Sequence, residues 1–152
     1  MLRDKFKDQL KDAMKSRNER AVATLRLIQA ALKDRDIAAR GRGKMDGIDE
    51  PEILSMLQGM IKQRRESIEA FEKGGRNELA QQEREEIAII ETFLPKQMSD
   101  AEAQAAITAL VAELGATSIK DMGRTMAALK ERHSGTIDMT KASALVKQAL
   151  TK

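Results

Sequence analysis

At 152 residues the chain has room for one domain or two small ones. Ala occurs 22 times and Leu 14 times, against 3 Val, 3 Phe and no Trp or Tyr. That stock forms helices and starves strands, so it excludes an all-β fold and an aromatic stacking platform for single-stranded nucleic acid. The chain lacks cysteine, which removes disulfides, a thiol nucleophile and thiolate metal sites. His133 is the single histidine, so a two-imidazole metal motif cannot form within one chain. No G-x-S-x-G elbow is present.

The net charge of +3 hides an uneven distribution. Residues 1–44 carry 13 Lys and Arg against 6 Asp and Glu, residues 45–95 carry 6 against 12, and residues 96–152 carry 8 against 6. A basic first segment beside an acidic second one implies internal pairing or a basic face left for an anionic partner. Internal pairing is the ordinary expectation. No apolar run of membrane-spanning length occurs, and acids interrupt the bases of the N-terminus, which has no h-region. The expectation from this is a cytoplasmic location with no membrane partner.

Leu2, Phe6, Leu10 and Ala13 recur at helical spacing and predict a first helix, ended at Ser16-Arg17-Asn18. A long second helix runs from Glu19 to Ala39, with Val22, Leu25, Ile28 and Leu32 inward and Leu27 and Ala31 widening the stripe. Gly41-Arg42-Gly43-Lys44 forms a loop; no strand precedes it, so its G-x-G is not a dinucleotide fingerprint. Pro51 opens a third helix whose Leu54, Leu57, Ile61, Arg64, Ile68 and Phe71 form a heptad-like seam. Arg64 is the odd member. Its stem would pack while its head finds a carboxylate or water.

Gly74-Gly75 stops that helix, Asn77 would cap a fourth bearing Leu79, Ile87, Ile90 and Leu94, and the short connection makes an antiparallel hairpin. Pro95 ends it. Beyond it the texture turns Ala-rich, which divides the chain into an N-terminal helical domain, 1–95, and a C-terminal one, 96–152. Ser99-Asp100-Ala101-Glu102 has the form of a capping box. The fifth helix behind it stops at Gly115. Ser118 would start a sixth, with Ile119, Met122, Met126 and Leu129 inward and an end at Ser134-Gly135; Thr140 would cap a seventh bearing Leu145, Val146, Ala149 and Leu150. The fold class is therefore all-α, four helices followed by three.

Gly123 inside the sixth helix costs stability relative to alanine and needs a reason: close helix packing, or a flat spot for an RNA backbone or another chain. Around it lie the bases of the last three helices, Lys120, Arg124, Lys130, Arg132, Lys141 and Lys147. Such a face neutralises phosphates without reading sequence; otherwise it is ordinary solvated surface. Arg26 and Arg64 form a second basic candidate in the first half. The carboxylate runs at 46–52 and 83–86 read as solvated helix faces rather than an acid/base pair. Thr24, Ser55, Ser67 and Thr108 have no base at suggestive spacing, and the pairs Met56/Met60 and Met122/Met126 read as core filler. No catalytic constellation, metal site or cofactor is expected.

Several short patterns together resemble a known family. Leu25-Arg26-Leu27-Ile28, Arg64-x-x-Ser67-x-x-x-Phe71-x-x-x-Gly75-Arg76-x-x-Leu79 and Phe93-Leu94-Pro95-x-Gln97-Met98-Ser99 look like the N-terminal half of YqeY-like proteins. Gly115-Ala116, Asp121-Met122-Gly123-Arg124-x-Met126 and Val146-Lys147-x-x-Leu150 look like the second half. The resemblance implies a four-helix unit followed by a three-helix unit similar to the tail domain of the GatB subunit of tRNA-dependent amidotransferase. It implies contact with tRNA through that tail, and a partner such as an aminoacyl-tRNA synthetase or an amidotransferase component. The kinase and transamidase chemistry of that enzyme sits in a separate GatB domain that nothing here matches. One departure stands out: where relatives carry a Gly-Lys-Ala-Asp-like loop before the last helix, this chain has Ser134-Gly135-Thr136-Ile137-Asp138.

The reading is a non-catalytic protein of the tRNA pathway that binds tRNA or a protein partner. Two alternatives remain: a carbon–nitrogen ligase using glutamine as amide donor, by similarity alone, and a protein-interaction module using the third or sixth helix. The oligomeric state is not legible.

Overall fold

The computed structural model describes residues 1–133 and 135–151. Their regular elements are all helical: α1 (Leu2–Lys15), α2 (Glu19–Gly41), α3 (Glu50–Lys73), α4 (Asn77–Glu91), α5 (Asp100–Leu114), a 3-10 turn (Ile119–Asp121), α6 (Met122–His133) and α7 (Met139–Leu150). The chain divides into two compact units, Met1–Leu94 and Pro95–Lys152.

In the first unit, α1 packs on α2, and the α3–α4 hairpin closes over α2. Asn18 caps α2 by accepting the Ala21 amide at 3.2 Å. Asp49 caps α3 by accepting the Glu52 amide at 3.0 Å, with Pro51 in the first turn, where no intrahelical donor is lost. Phe6, Ile28, Ile53, Met56, Leu57 and Ile90 are fully buried. Phe6 meets Phe93 edge to face with centroids 4.8 Å apart.

A polar clamp ties α1, α2 and the loop before α3. The Arg3 guanidinium donates to both carboxylate oxygens of Asp36, at 2.6 and 2.8 Å, and to the Ile48 carbonyl at 2.8 Å. Asp36 also accepts the Ile48 amide at 2.9 Å. The Arg3 bond, aided by that amide, outweighs burial and holds the Asp36 carboxyl down at about 2. Gly47 makes this approach possible. Its φ is +84°, and a Cβ there would sit 2.3 Å from Asp36 Oδ1.

In the second unit, α7 packs on α5 and α6, and α5 on α6. Ala103, Ile107, Leu110, Leu129, Ile137, Ala142, Val146 and Leu150 make its core. Ser99 and Glu102 form the expected capping box on α5, and Gly115 ends that helix in the left-handed region at φ 64°.

Several expected details change. The third-helix core set is Ile53, Met56, Leu57, Met60 and Ile61, so both methionines are core residues. Ile68 and Phe71 stay half-buried, because the far half of α3 packs chiefly on α4. Leu27 is 48% exposed, Leu79 and Ile119 are also exposed, and none of the three widens a core stripe. Arg76, not Asn77, occupies the cap position of α4, and no side chain satisfies its first amides. Asp138, not Thr140, caps α7 by accepting the Thr140 amide at 2.9 Å. Ser118 opens the 3-10 turn rather than α6 itself. Ser134, expected at the end of α6, lies outside the described residues.

Candidate nucleic-acid interface

The six basic residues singled out in the C-terminal part fall into two groups. Arg132 on α6 grips Glu113 on α5 with two parallel bonds of 2.5 and 2.8 Å. This hydrogen bond holds the Glu113 carboxyl below, and the Arg132 guanidinium above, their ordinary ranges. Lys141 pairs with Asp100. Arg124 reaches back to Asp121 at 3.3 Å, while Asp121 accepts the Thr117 and Ser118 amides at 3.0 and 3.4 Å and so fixes the turn before α6. These three cations are occupied by local or interhelical acids. Lys120, Lys130 and Lys147 are exposed and make no ion pair among the described residues.

Gly123 lies in the first turn of α6, exposed, and a Cβ added there meets nothing within 4 Å. Close helix packing is therefore not its reason. With Ala127 and Lys130, which follow at steps of four and three, it forms one exposed strip; Lys120 stands just before it and Arg124 beside it. The strip is bare backbone and short side chains flanked by cations.

The loop before α7 is held as structure. The Met98 amide donates to the Thr136 carbonyl at 2.9 Å, Gln97 Nε2 donates to the Gly135 carbonyl at 2.5 Å, and Ile137 enters the core. Its carbonyls at Gly135 and Thr136 are thereby engaged, and no lysine stands among residues 134–138.

The second basic candidate does not assemble. Arg64 is 12% exposed at its side chain and paired with Glu86 at 3.0 Å; it also donates to the Met60 carbonyl at 3.1 Å. This is the carboxylate-seeking head expected of a cation on an apolar seam. Glu83 lies 4.0 Å away, its carboxyl pushed up by burial and by the charge of Glu86. Leu27, Gln63, Arg64, Ser67, Glu83 and Glu86 line one depression, whereas Arg26 lines another with Met14, Arg17 and Val22. Sequence reading also passed over Lys33 and Arg40, which share the outer face of α2 with Arg26. The signal was a seven-residue spacing of cations. Among the described residues, no cluster of His, Asp and Glu is placed to hold a metal ion, and no helix is long and apolar enough to cross a membrane.

A model of the YqeY-like protein family matches residues 3–150. The chain belongs to this family. One relative is "Altered inheritance of mitochondria protein 41, mitochondrial" of Lachancea thermotolerans, 32% identical over 111 residues, which are 72% of this chain and 57% of that protein. The protein of that name from Eremothecium gossypii is 31% identical over 89 residues, 59% of this chain and 46% of its own length. An uncharacterized protein of Schizosaccharomyces pombe is 28% identical over 95 residues, 62% and 73% of the two lengths. The chain thus spans about half the length of the mitochondrial relatives it matches. Their naming overturns the cytoplasmic location expected from the sequence. Targeting segments are processed addresses that lie apart from the fold, so a helical core shared with YqeY-like relatives carries no compartment of its own.

Proposed function

We propose that this YqeY-like chain is a non-catalytic accessory protein that binds tRNA through its C-terminal unit. The observation that carries the reading is the exposed strip Gly123–Ala127–Lys130, with Lys120 and Lys147 also exposed and lacking acid partners among the described residues. A helix without bulky side chains lets a sugar–phosphate backbone come close, and unpaired lysines are free to displace condensed counterions. The resemblance of Asp121–Met126 and Val146–Leu150 to the GatB tail supports the same ligand. Arg124, Arg132 and Lys141 contribute less, because each must first leave a carboxylate.

The test is binding of labelled bulk tRNA at two salt concentrations, beside a DNA duplex of equal length. Binding to tRNA should weaken steeply with salt, and Lys120→Glu/Lys130→Glu/Lys147→Glu should abolish it. Loss of about three phosphate contacts should also flatten the salt dependence, by a slope of roughly 0.7 to 0.9 per contact. Equal affinity for the duplex, or an unchanged triple variant, defeats the assignment.

A further inference from the structure

The outer face of α2 carries a charge pattern that the first unit does not neutralise. Arg26, Lys33 and Arg40 stand seven residues apart along this 23-residue helix, all exposed, and none makes an ion pair among the described residues. Seven-residue steps keep them on one face with a slow drift of about 20° per step, the cations about 10 Å apart. Beside them runs a second row at the same spacing, Ala23, Ala30 and Ile37, with Leu27 adjoining. Leu27 and Ile37 are 48% and 54% exposed. At the helix start the faces of Met14, Arg17, Val22 and Arg26 open into a depression of about 420 Å³.

We infer that this face of α2 docks an acidic amphipathic helix of a protein partner, with carboxylates at seven-residue spacing opposite Arg26, Lys33 and Arg40 and an apolar seam laid over Ala23, Leu27, Ala30 and Ile37. Two short alanines let a second helix axis come close, two aliphatics supply knobs, and cations along one edge set partner and register, as flanking charges do in paired helices. RNA would satisfy the cations but leave Leu27 and Ile37 against sugar and phosphate with no apolar counterpart. A second copy of this chain is a poor occupant, because Glu85 and Glu91 of its acidic helix α4 already pair with Arg20 and Arg65. The drift of the rows matches the left-handed crossing of two long helices.

The probe is a synthetic, fluorophore-labelled, stapled three-heptad helix with Glu at every seventh position and Leu and Ala on the adjoining row, followed by anisotropy against the full chain. Arg26→Glu/Lys33→Glu/Arg40→Glu should weaken binding on the order of tenfold or more, and Leu27→Gln/Ile37→Gln should do the same. Lys120→Glu/Lys130→Glu/Lys147→Glu, in the other unit, should leave it unchanged, and circular dichroism should show each variant fully helical. No binding of the probe overturns the proposal. So does binding that the Leu27/Ile37 variant leaves intact, which would make the face purely electrostatic. Displacement of the probe by tRNA assigns the face to RNA. Concentration-dependent dimerisation lost in the Arg26/Lys33/Arg40 variant assigns it to a second copy. Either result also overturns it.

Discussion

Replacing Asp36 by Asn tests the clamp that joins α1, α2 and the loop before α3. The carboxyl lies at about 2 in the fold, against an ordinary value of 3.8. A depressed carboxyl contributes stability that is fully present above the unfolded value and disappears as pH falls through the folded one. The window is therefore about pH 4 down to pH 2. At about 1.4 kcal/mol per unit the shift corresponds to no more than roughly 2.5 kcal/mol. The Arg3 side chain is 36% exposed, and solvent screening reduces the contribution to about 1–2 kcal/mol. Asn keeps the shape and an acceptor for the Ile48 amide but loses the charge. Urea unfolding followed by circular dichroism should show Asp36→Asn weaker by about 1–2 kcal/mol at pH 7, with the difference shrinking to nothing near pH 2. The two compact units need not unfold together. Exchange protection of the Ile48 amide reads the clamp directly, and it should fall in the variant at neutral pH. Equal stability at pH 7, or a wild-type and a variant that lose stability in parallel between pH 4 and pH 2, would refute the reasoning.

Gly47→Ala places a methyl 2.3 Å from Asp36 Oδ1 at φ +84°, so it should cost about 2 kcal/mol or more in urea titration, whereas Gly43→Ala, at φ +91° in open space, should cost only about 1 kcal/mol for its backbone strain. Arg64→Ala leaves the buried Glu86 carboxylate without its partner at 3.0 Å and should destabilise the first unit by about 3 kcal/mol; adding Glu86→Gln should recover part of that loss in a double-mutant cycle. Ser99→Ala removes the acceptor for the Glu102 amide at 3.1 Å and should lower the stability of the second unit by about 1 kcal/mol, read from the exchange of the amides of α5.

Much of the helix pattern was legible because local chemistry wrote it. Pro51, Gly74-Gly75, Ser99 with Glu102, and Gly115 each act through backbone geometry or a neighbour within four residues, and each stands at the helix end expected of it. Facing was less legible. Leu27 and Ile119 fit the period of a core stripe yet are exposed, because whether a second layer covers a helix face depends on contacts far along the chain. Ile53, Met56 and Met60 escaped because the seam was drawn through Ile68 and Phe71, where α3 packs chiefly on α4. The Arg3–Asp36–Ile48 clamp joins residues 33 and 12 positions apart and has no local signature at all. Family membership came from short patterns taken jointly. The separation of free cations from engaged ones needed the folded chain, since Arg132 and Glu113 are 19 residues apart.

The expected pairing of the basic first segment with the acidic second is realised only sparsely, and this bears on both proposed surfaces. Arg20 with Glu85, Lys44 with Glu52 and the N-terminal amine with Glu50 are the ion pairs that join residues 1–44 to residues 45–95 among the described residues. The remaining positive charge of the first unit faces water, and the same holds for Lys120, Lys130 and Lys147 in the second. The two sets differ in what lies between the cations: Leu27 and Ile37 on α2, Gly123 and Ala127 on α6. Salt screens the charges in both places, but burial of aliphatic surface is not screened. Binding through α6 should therefore fall along a single steep line as salt rises, whereas binding through α2 should fall less steeply and retain the part carried by Leu27 and Ile37. A chain that loses both activities with the same salt slope would have one cationic surface chemistry rather than two.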